Sequence, residues 1–375
     1  MPIRRSGLVV RDEGIILPPV NDLDFQGAGV TVGLSGSKLV ATIPGGGSVD
    51  WAAMGIYRPQ DYGTVDPTGA SDSYAAFAAA RDAMLASNYG GLIVAPRGRF
   101  KIGTMLDLGQ PTYDADHGWG YQHMRGIIGA GRGATTLVAA SGMTDPILRV
   151  RGTTAGLPSV TIRDIGFNGN ANTGMTGGVV KLQALAWADV RNILVFGATG
   201  GSSFPTYGLY VEDCLISLYD HIIAMNAGTP LYFTTGASPY TCNQTTLKHV
   251  SVSGTSWGID IASGDNFTVE DFDCEGGAGG GIRYSAGGNF RAGGNLWFEG
   301  TYDPLFDLTA SEAQIDGPNI SNVTSSTNVI QNRGTGKLTV YDWHEGGTCV
   351  NASGATLRKG NSNLSGSGGT TTTLY

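Results

Sequence analysis

Two glutamates close two similar stretches of the chain, Phe272-Asp273-Cys274-Glu275-Gly276 and Leu296-Trp297-Phe298-Glu299-Gly300. If these are neighbouring turns of one repeat, Glu275 stacks over Glu299 and Asp273 over Trp297. Stacked strands bring equivalent positions to about 4.8 Å. Two outward carboxylates near that spacing match the roughly 5 Å at which retaining glycoside hydrolysis holds its acid and its nucleophile. Mutual repulsion would raise the proton affinity of one, which a general acid needs. Asp273 would be a third acid, and Trp297 would offer its face to a sugar ring. The alternative is that Glu275 and Glu299 are solvated corner residues, their repulsion relieved by an arginine such as Arg283 or Arg291. Both readings need a fold that stacks these stretches in register.

A recurring eight-residue pattern supplies that fold. It runs Ile162 to Gly169, Val190 to Gly197, Tyr219 to Asn226, Leu247 to Gly254 and Val269 to Gly276. Looser copies follow at Gly293 to Gly300, Ile315 to Asn322 and Val340 to Gly347. Apolar residues recur at alternate or near-alternate places, which is strand periodicity. A turn former or polar residue stands third in each copy: Asp164, Asn192, His221, His249, Asp271, Asn295, Gly317 and Asp342. These third positions are 22 to 29 residues apart. Units of this size cannot bury an apolar side alone and must cover one another. An antiparallel sandwich would show two-residue hairpin signals every 8 to 12 residues or so, and those are largely missing. The expected fold is all-β, a right-handed single-stranded parallel β-helix spanning residues 49–350. Residues 1–48 form a separate leader and 351–375 a C-terminal cap or tail.

Sixty glycines and only 14% charged residues suit a chain that turns tightly at every corner. The net charge of -8 argues against wrapping nucleic acid. No apolar run of 18 residues is present, so a membrane span is not expected. Arg4 and Arg5 follow Met1 without an apolar core, so a secretory signal is not expected either. The four cysteines are scattered and read as buried thiols, Cys274 standing where Phe167 stands in the first copy. His221 over His249 reads as a hydrogen-bonded corner ladder in preference to a metal site. No cofactor and no metal is called for.

The segment ahead of the repeats has its own order. Asp61-Tyr62-Gly63 leads to Asp66-Pro67-Thr68-Gly69, then to a helix over roughly 72–87 with Ser71 as its N-cap. Phe77, Ala80, Met84 and Leu85 form its apolar stripe. Leu92-Ile93-Val94-Ala95-Pro96-Arg97-Gly98-Arg99-Phe100-Lys101-Ile102 follows as strand, turn and strand. A short helix here is placed to plug the open end of the solenoid. Gly129-Ala130-Gly131 half-matches a nucleotide-binding motif, but a strand pattern follows where that motif needs a helix.

This order resembles the start of pectate-lyase-like parallel β-helix proteins, which include many bacteriophage tailspikes. Met124 to Leu137 is similar to the turn that comes next in that family. The usual second Asp before the helix is reduced here to Ser71-Asp72. Residues 11–32 resemble leaders that attach phage tail proteins to the virion. The resemblance implies a tailspike or tail fibre protein, a homotrimer, attached through residues 1–48 to a tail or baseplate component. It implies assembly in the host cytoplasm and action outside the cell, on a host surface polysaccharide. On that reading Trp297, Trp119, Tyr121, Tyr113, Tyr232 and Tyr240 are the expected glycan contacts. Trp119, Tyr121 and Tyr113 lie in an insertion without periodicity, whose alternative reading is a loop folded over the solenoid flank or buried between subunits; Tyr232 and Tyr240 lie in the longer inter-coil loops. Such a protein either binds the glycan as a receptor, or also cleaves it, with Glu275, Glu299 and Asp273 as the catalytic candidates.

Overall fold

The computed structural model describes residues 11–12, 15–16, 31–35, 38–42, 50–87, 90–109, 125–152, 159–197, 205–236, 241–275, 279–299, 304–316, 328–341, 348–351, 356–360, 365–367 and 370–374. Its contacts divide the chain into two compact units, Met1–Asp50 and Trp51–Tyr375. In the first unit Arg11–Asp12 pairs antiparallel with Ile15–Ile16, and Thr31–Ser35 with Lys38–Thr42.

The second unit is a parallel β-helix. Among the described residues fifteen strands form one sheet and eleven form another. Successive coils add a long strand to the first sheet and a shorter one to the second, as in Asn243–Gly254 then Ile259–Ile261, and Asp265–Glu275 then Ile282–Tyr284. Equivalent apolar residues stack into inward columns, for example Ile165–Ile193–Ile222–Val250–Phe272–Leu296. A second column runs Phe167–Val195–Ala224–Val252–Cys274–Phe298, which puts Cys274 in the core at the level expected from Phe167. All four cysteines are buried thiols. Core rings meet edge to face, Phe272 with Phe298 at 5.6 Å and Phe298 with Phe306 at 5.6 Å between centroids. Such pairs add about 0.5–1.5 kcal/mol beyond their buried area.

The third residue of each copy explains why the pattern is only near-alternate. Asp164, Asn192, His221, His249 and Asp271 all have left-handed backbone, φ between 49° and 55°. That bend folds the long strand at a corner. The inward residues then stand three apart across it, as in Val190 and Ile193 or Val269 and Phe272. Asp, Asn and His tolerate this region better than most residues because their short polar groups hydrogen-bond locally. Asn192 Nδ2 donates to Asp164 Oδ1 (2.5 Å), so the corners also form a polar ladder.

The sixth corner differs from the sequence expectation. Gly294, not Asn295, takes the left-handed position, with φ 76°. Glu270 pairs with Gly293 and Phe272 with Leu296, so this strand carries one extra residue, a bulge. A Cβ on Gly294 would stand 2.5 Å from Asp271 Oδ1, so a larger residue there must displace that carboxylate. Gly317 and Asp342 lie outside the described residues.

The capping helix runs Tyr74–Ala86 and starts later than expected. Ser71 is not its cap, because the preceding turn takes its backbone: Ser71 N donates to Asp66 Oδ2 (2.6 Å). Asp72 instead accepts from Tyr74 N (2.9 Å) and Gly103 N (3.0 Å). Phe77, Ala80 and Met84 are buried, and Phe77 meets Phe100 at 5.5 Å in the same core. At the other end, residues 351–375 were expected as a cap or tail. Strands Thr356–Gly360, Ser365–Ser367 and Thr370–Leu374 continue both sheets there. The backbone N–H and C=O groups of these Ser-, Thr- and Gly-rich strands supply ladder hydrogen bonds whatever the side chains, which composition alone does not reveal. Among the described residues no helix is long and apolar enough to cross a membrane.

Candidate functional site

Glu275 pairs across the sheet with Glu299, and Asp273 with Trp297. Strand alternation fixes their direction: Phe272, Cys274, Leu296 and Phe298 between them are buried, so the three acids and the tryptophan face outward. Trp297 is 44% exposed and is one of the few large apolar side chains on the surface. The column above it reads Leu194–Ile223–Ser251–Asp273–Trp297.

Asp273 is half-buried. Ser251 Oγ donates to its Oδ2 (2.8 Å), while its Oδ1 is shielded from water and finds no hydrogen-bond partner among the described residues. Burial raises the proton affinity of this carboxyl; the Ser251 hydroxyl opposes the shift and the charge of Glu299 adds to it. Glu275 is also raised, first by the charge of Asp273, then by partial burial and by Glu299. The arginines expected to relieve the crowding do not. Arg283 belongs to the other sheet and clamps Asp260 through two hydrogen bonds, 2.8 and 2.5 Å. Arg291 stands before the corner, paired with Thr268 on one side and Gln314 on the other. Two carboxyls with raised proton affinity beside an exposed indole form a surface that can hydrogen-bond sugar hydroxyls and stack on a sugar face.

Tyr232 lies on the second sheet, in strand Thr229–Thr234, so the structure does not bring it to Trp297. It stacks on Tyr207 at 4.4 Å and 16°, with Tyr210 at 5.3 Å. Lys181 Nζ sits 4.7 Å over the Tyr210 ring, and Arg283 lies 5.1 Å over Trp257. Tyr232, expected in a loop, is therefore a strand residue in an outward column with Tyr210. Their neighbour Phe233 points inward and is fully buried. Trp119, Tyr121, Tyr113 and Tyr240 lie outside the described residues.

The histidine column is a hydrogen-bonded corner. Asp220 Oδ1 meets His221 Nδ1 at 2.7 Å and His249 Nδ1 at 2.9 Å, and the rings lie 4.4 Å apart. His249 Nε2 reaches Asp271 Oδ2 at 3.4 Å. Burial works against ionisation of Asp220, but the hydrogen bonds and charges of both histidines outweigh it and hold the carboxyl below its usual range. One ligand atom from each of Asp220, His221 and His249 falls within 4.8 Å of the others, so the cluster has the spacing to hold a metal ion.

Ser251, Tyr210 and Trp257 were missed as site residues. For Ser251 the signal was present, since the copy Leu247 to Gly254 places it at the position of Asp273. Tyr210 and Trp257 lie between copies of the repeat, where no pattern aligns them.

No protein-family profile matches the sequence, and no curated relative does. Solved structures resemble the fold. The A-module of mannuronan C-5 epimerase AlgE6 from Azotobacter vinelandii aligns with 85% of this chain and 96% of its own, at 15% identity and a TM-score of 0.51. DFA-IIIase from Arthrobacter chlorophenolicus A6 aligns over 85% of this chain and 86% of its own, at 10% identity and a TM-score of 0.50. The gp42 tailspike of Acinetobacter phage vb_AbaP_AS12 aligns over 89% of this chain and 62% of its own, at 10% identity and a TM-score of 0.52. At these identities the likeness establishes a shared parallel β-helix fold.

Proposed function

We propose that this chain is a bacteriophage tailspike or tail fibre protein that binds a host cell-surface polysaccharide. The observation that carries the proposal is the exposed Trp297 set in one outward column with Asp273 and flanked by Glu275 and Glu299. An indole face with carboxyl acceptors beside it suits a sugar ring and its hydroxyls. The order of motifs at residues 61–102 and the leader at 11–32 favour a phage tail protein, and the likeness to a phage tailspike agrees with that reading. On this account the protein is a homotrimer located on the virion tail, held to a tail or baseplate component through residues 1–48.

Hydrolysis of the bound glycan is the second reading, favoured by the raised proton affinity of Asp273 and Glu275. A carboxyl that keeps its proton can protonate a glycosidic oxygen, and Glu299 on the adjoining strand is the second carboxyl such chemistry needs. The test is to incubate purified protein with capsular polysaccharide or lipopolysaccharide and follow polymer size, beside Glu275→Gln and Glu299→Gln. Binding without shortening in all three proteins is the result expected of a receptor-binding spike. Shortening that either substitution abolishes makes the site hydrolytic. Absence of binding to every host polysaccharide overturns the proposal.

A further inference from the structure

We infer that a second surface, a cationic groove on the first sheet ahead of the corner, binds an acidic stretch of polysaccharide; this deepens the glycan reading above and rests on it. The groove encloses about 350 Å³ and is lined by Arg291, Gln314, Lys337, Tyr341, Arg358 and Glu312, among others. Three cations against one carboxylate is a local excess of positive charge in a protein whose net charge is -8. Among the described residues only Lys337 of the three is paired with an acid, Glu312 at 2.7 Å. The Arg291 side chain has no hydrogen bond or ion pair among the described residues. The Arg358 side chain makes no hydrogen bond there either; it acts on Glu312 through its field.

The register spaces these charges. Arg291, Gln314, Thr339 and Arg358 form one outward column, so the backbones of the two arginines stand three strands apart, about 14 Å along the helix axis. Between them lie an amide and a hydroxyl, groups that match neutral sugar hydroxyls. Arg291 also lines a smaller notch of about 130 Å³, shared with Glu270, Asp271 and Asp316, that opens over Gly293 and Gly294. Its carboxylates repel an anion, so negative groups are confined to the span between the arginines. The guanidinium fork pairs with planar carboxylates in two parallel hydrogen bonds, which makes a uronic acid the fitting anion.

The experiment measures affinity for three probes: a uronic-acid oligosaccharide, the same oligosaccharide with its carboxyls reduced to neutral alcohols, and a single-stranded oligonucleotide of equal charge. The proteins are wild type, Arg291→Gln, Arg358→Gln and Trp297→Ala, each checked for an unchanged Tm. Both arginines are exposed, so their replacement leaves the core intact. The expected result is uronate binding that weakens with salt, falls about tenfold in each arginine variant, and is lost on carboxyl reduction. Equal affinity for the reduced probe, equal affinity for the oligonucleotide, or no change in either arginine variant overturns the inference. Glycan binding lost in Trp297→Ala but intact in both arginine variants overturns it too, while leaving the proposal about Trp297 standing.

Discussion

Replacing Glu275 by Gln should make the protein more stable at neutral pH. Glu275 lies directly across from Glu299 and two residues along the strand from Asp273 on the same face. Strand geometry puts these neighbours at about 5 Å and about 7 Å. Because Glu275 is exposed, the dielectric of water applies, and the two repulsions together come to roughly 1.4 kcal/mol before screening. Salt near 0.15 M reduces that to about 0.7 kcal/mol. Its folded-state pKa is raised, so folding favours the protonated form. The penalty is therefore absent below the ordinary carboxylate range and sets in as pH rises through it. The assay is thermal unfolding of wild type and Glu275→Gln at pH 7 and pH 3, at low and high salt. A gain of about 1–3 °C is expected at pH 7 in low salt, shrinking in high salt and absent at pH 3. A loss of Tm at pH 7, or an equal gain at pH 3, would refute the crowding of these acids.

Asp66 tests the turn ahead of the helix. Thr68 and the Ser71 backbone hydrogen-bond to its carboxylate and hold its pKa near about 2. Asp66→Asn should lower Tm at pH 7, and the difference from wild type should disappear as pH falls through 4 to 2, because a depressed folded pKa gives stability that protonation removes. Gly294→Ala should destabilise by about 1–2 kcal/mol in chemical unfolding, since it forces an L side chain into φ 76° against Asp271. An unchanged unfolding midpoint would mean that the bulge relaxes freely.

The repeat was legible because stacked coils must present equivalent residues to one core. Ile162, Val190, Tyr219, Leu247 and Val269 therefore align by sequence as they do in the sheet. The same logic placed Glu275 over Glu299, each one residue beyond a buried neighbour, Cys274 and Phe298. It failed where the constraint is weaker. Gly294 and Asn295 share one corner because a bulge costs little on an outward turn, and no apolar residue marks the extra position. Ser71 is of a preferred N-cap type with an acidic residue after it, yet the Asp66 carboxylate takes its backbone first. The tyrosine cluster and the cationic groove are products of register alone: Arg291 and Arg358 lie in different coils and become one surface only when Gln314 and Thr339 are stacked between them.

The central claim is that the outward face carrying Trp297 holds glycan. Calorimetric titration of host surface oligosaccharide into wild type and Trp297→Ala tests it most directly. Loss of one stacked ring should weaken binding about tenfold with Tm unchanged, because the indole is exposed and removes little from the core. Equal affinity in the two proteins would contradict the account and move glycan recognition away from this face.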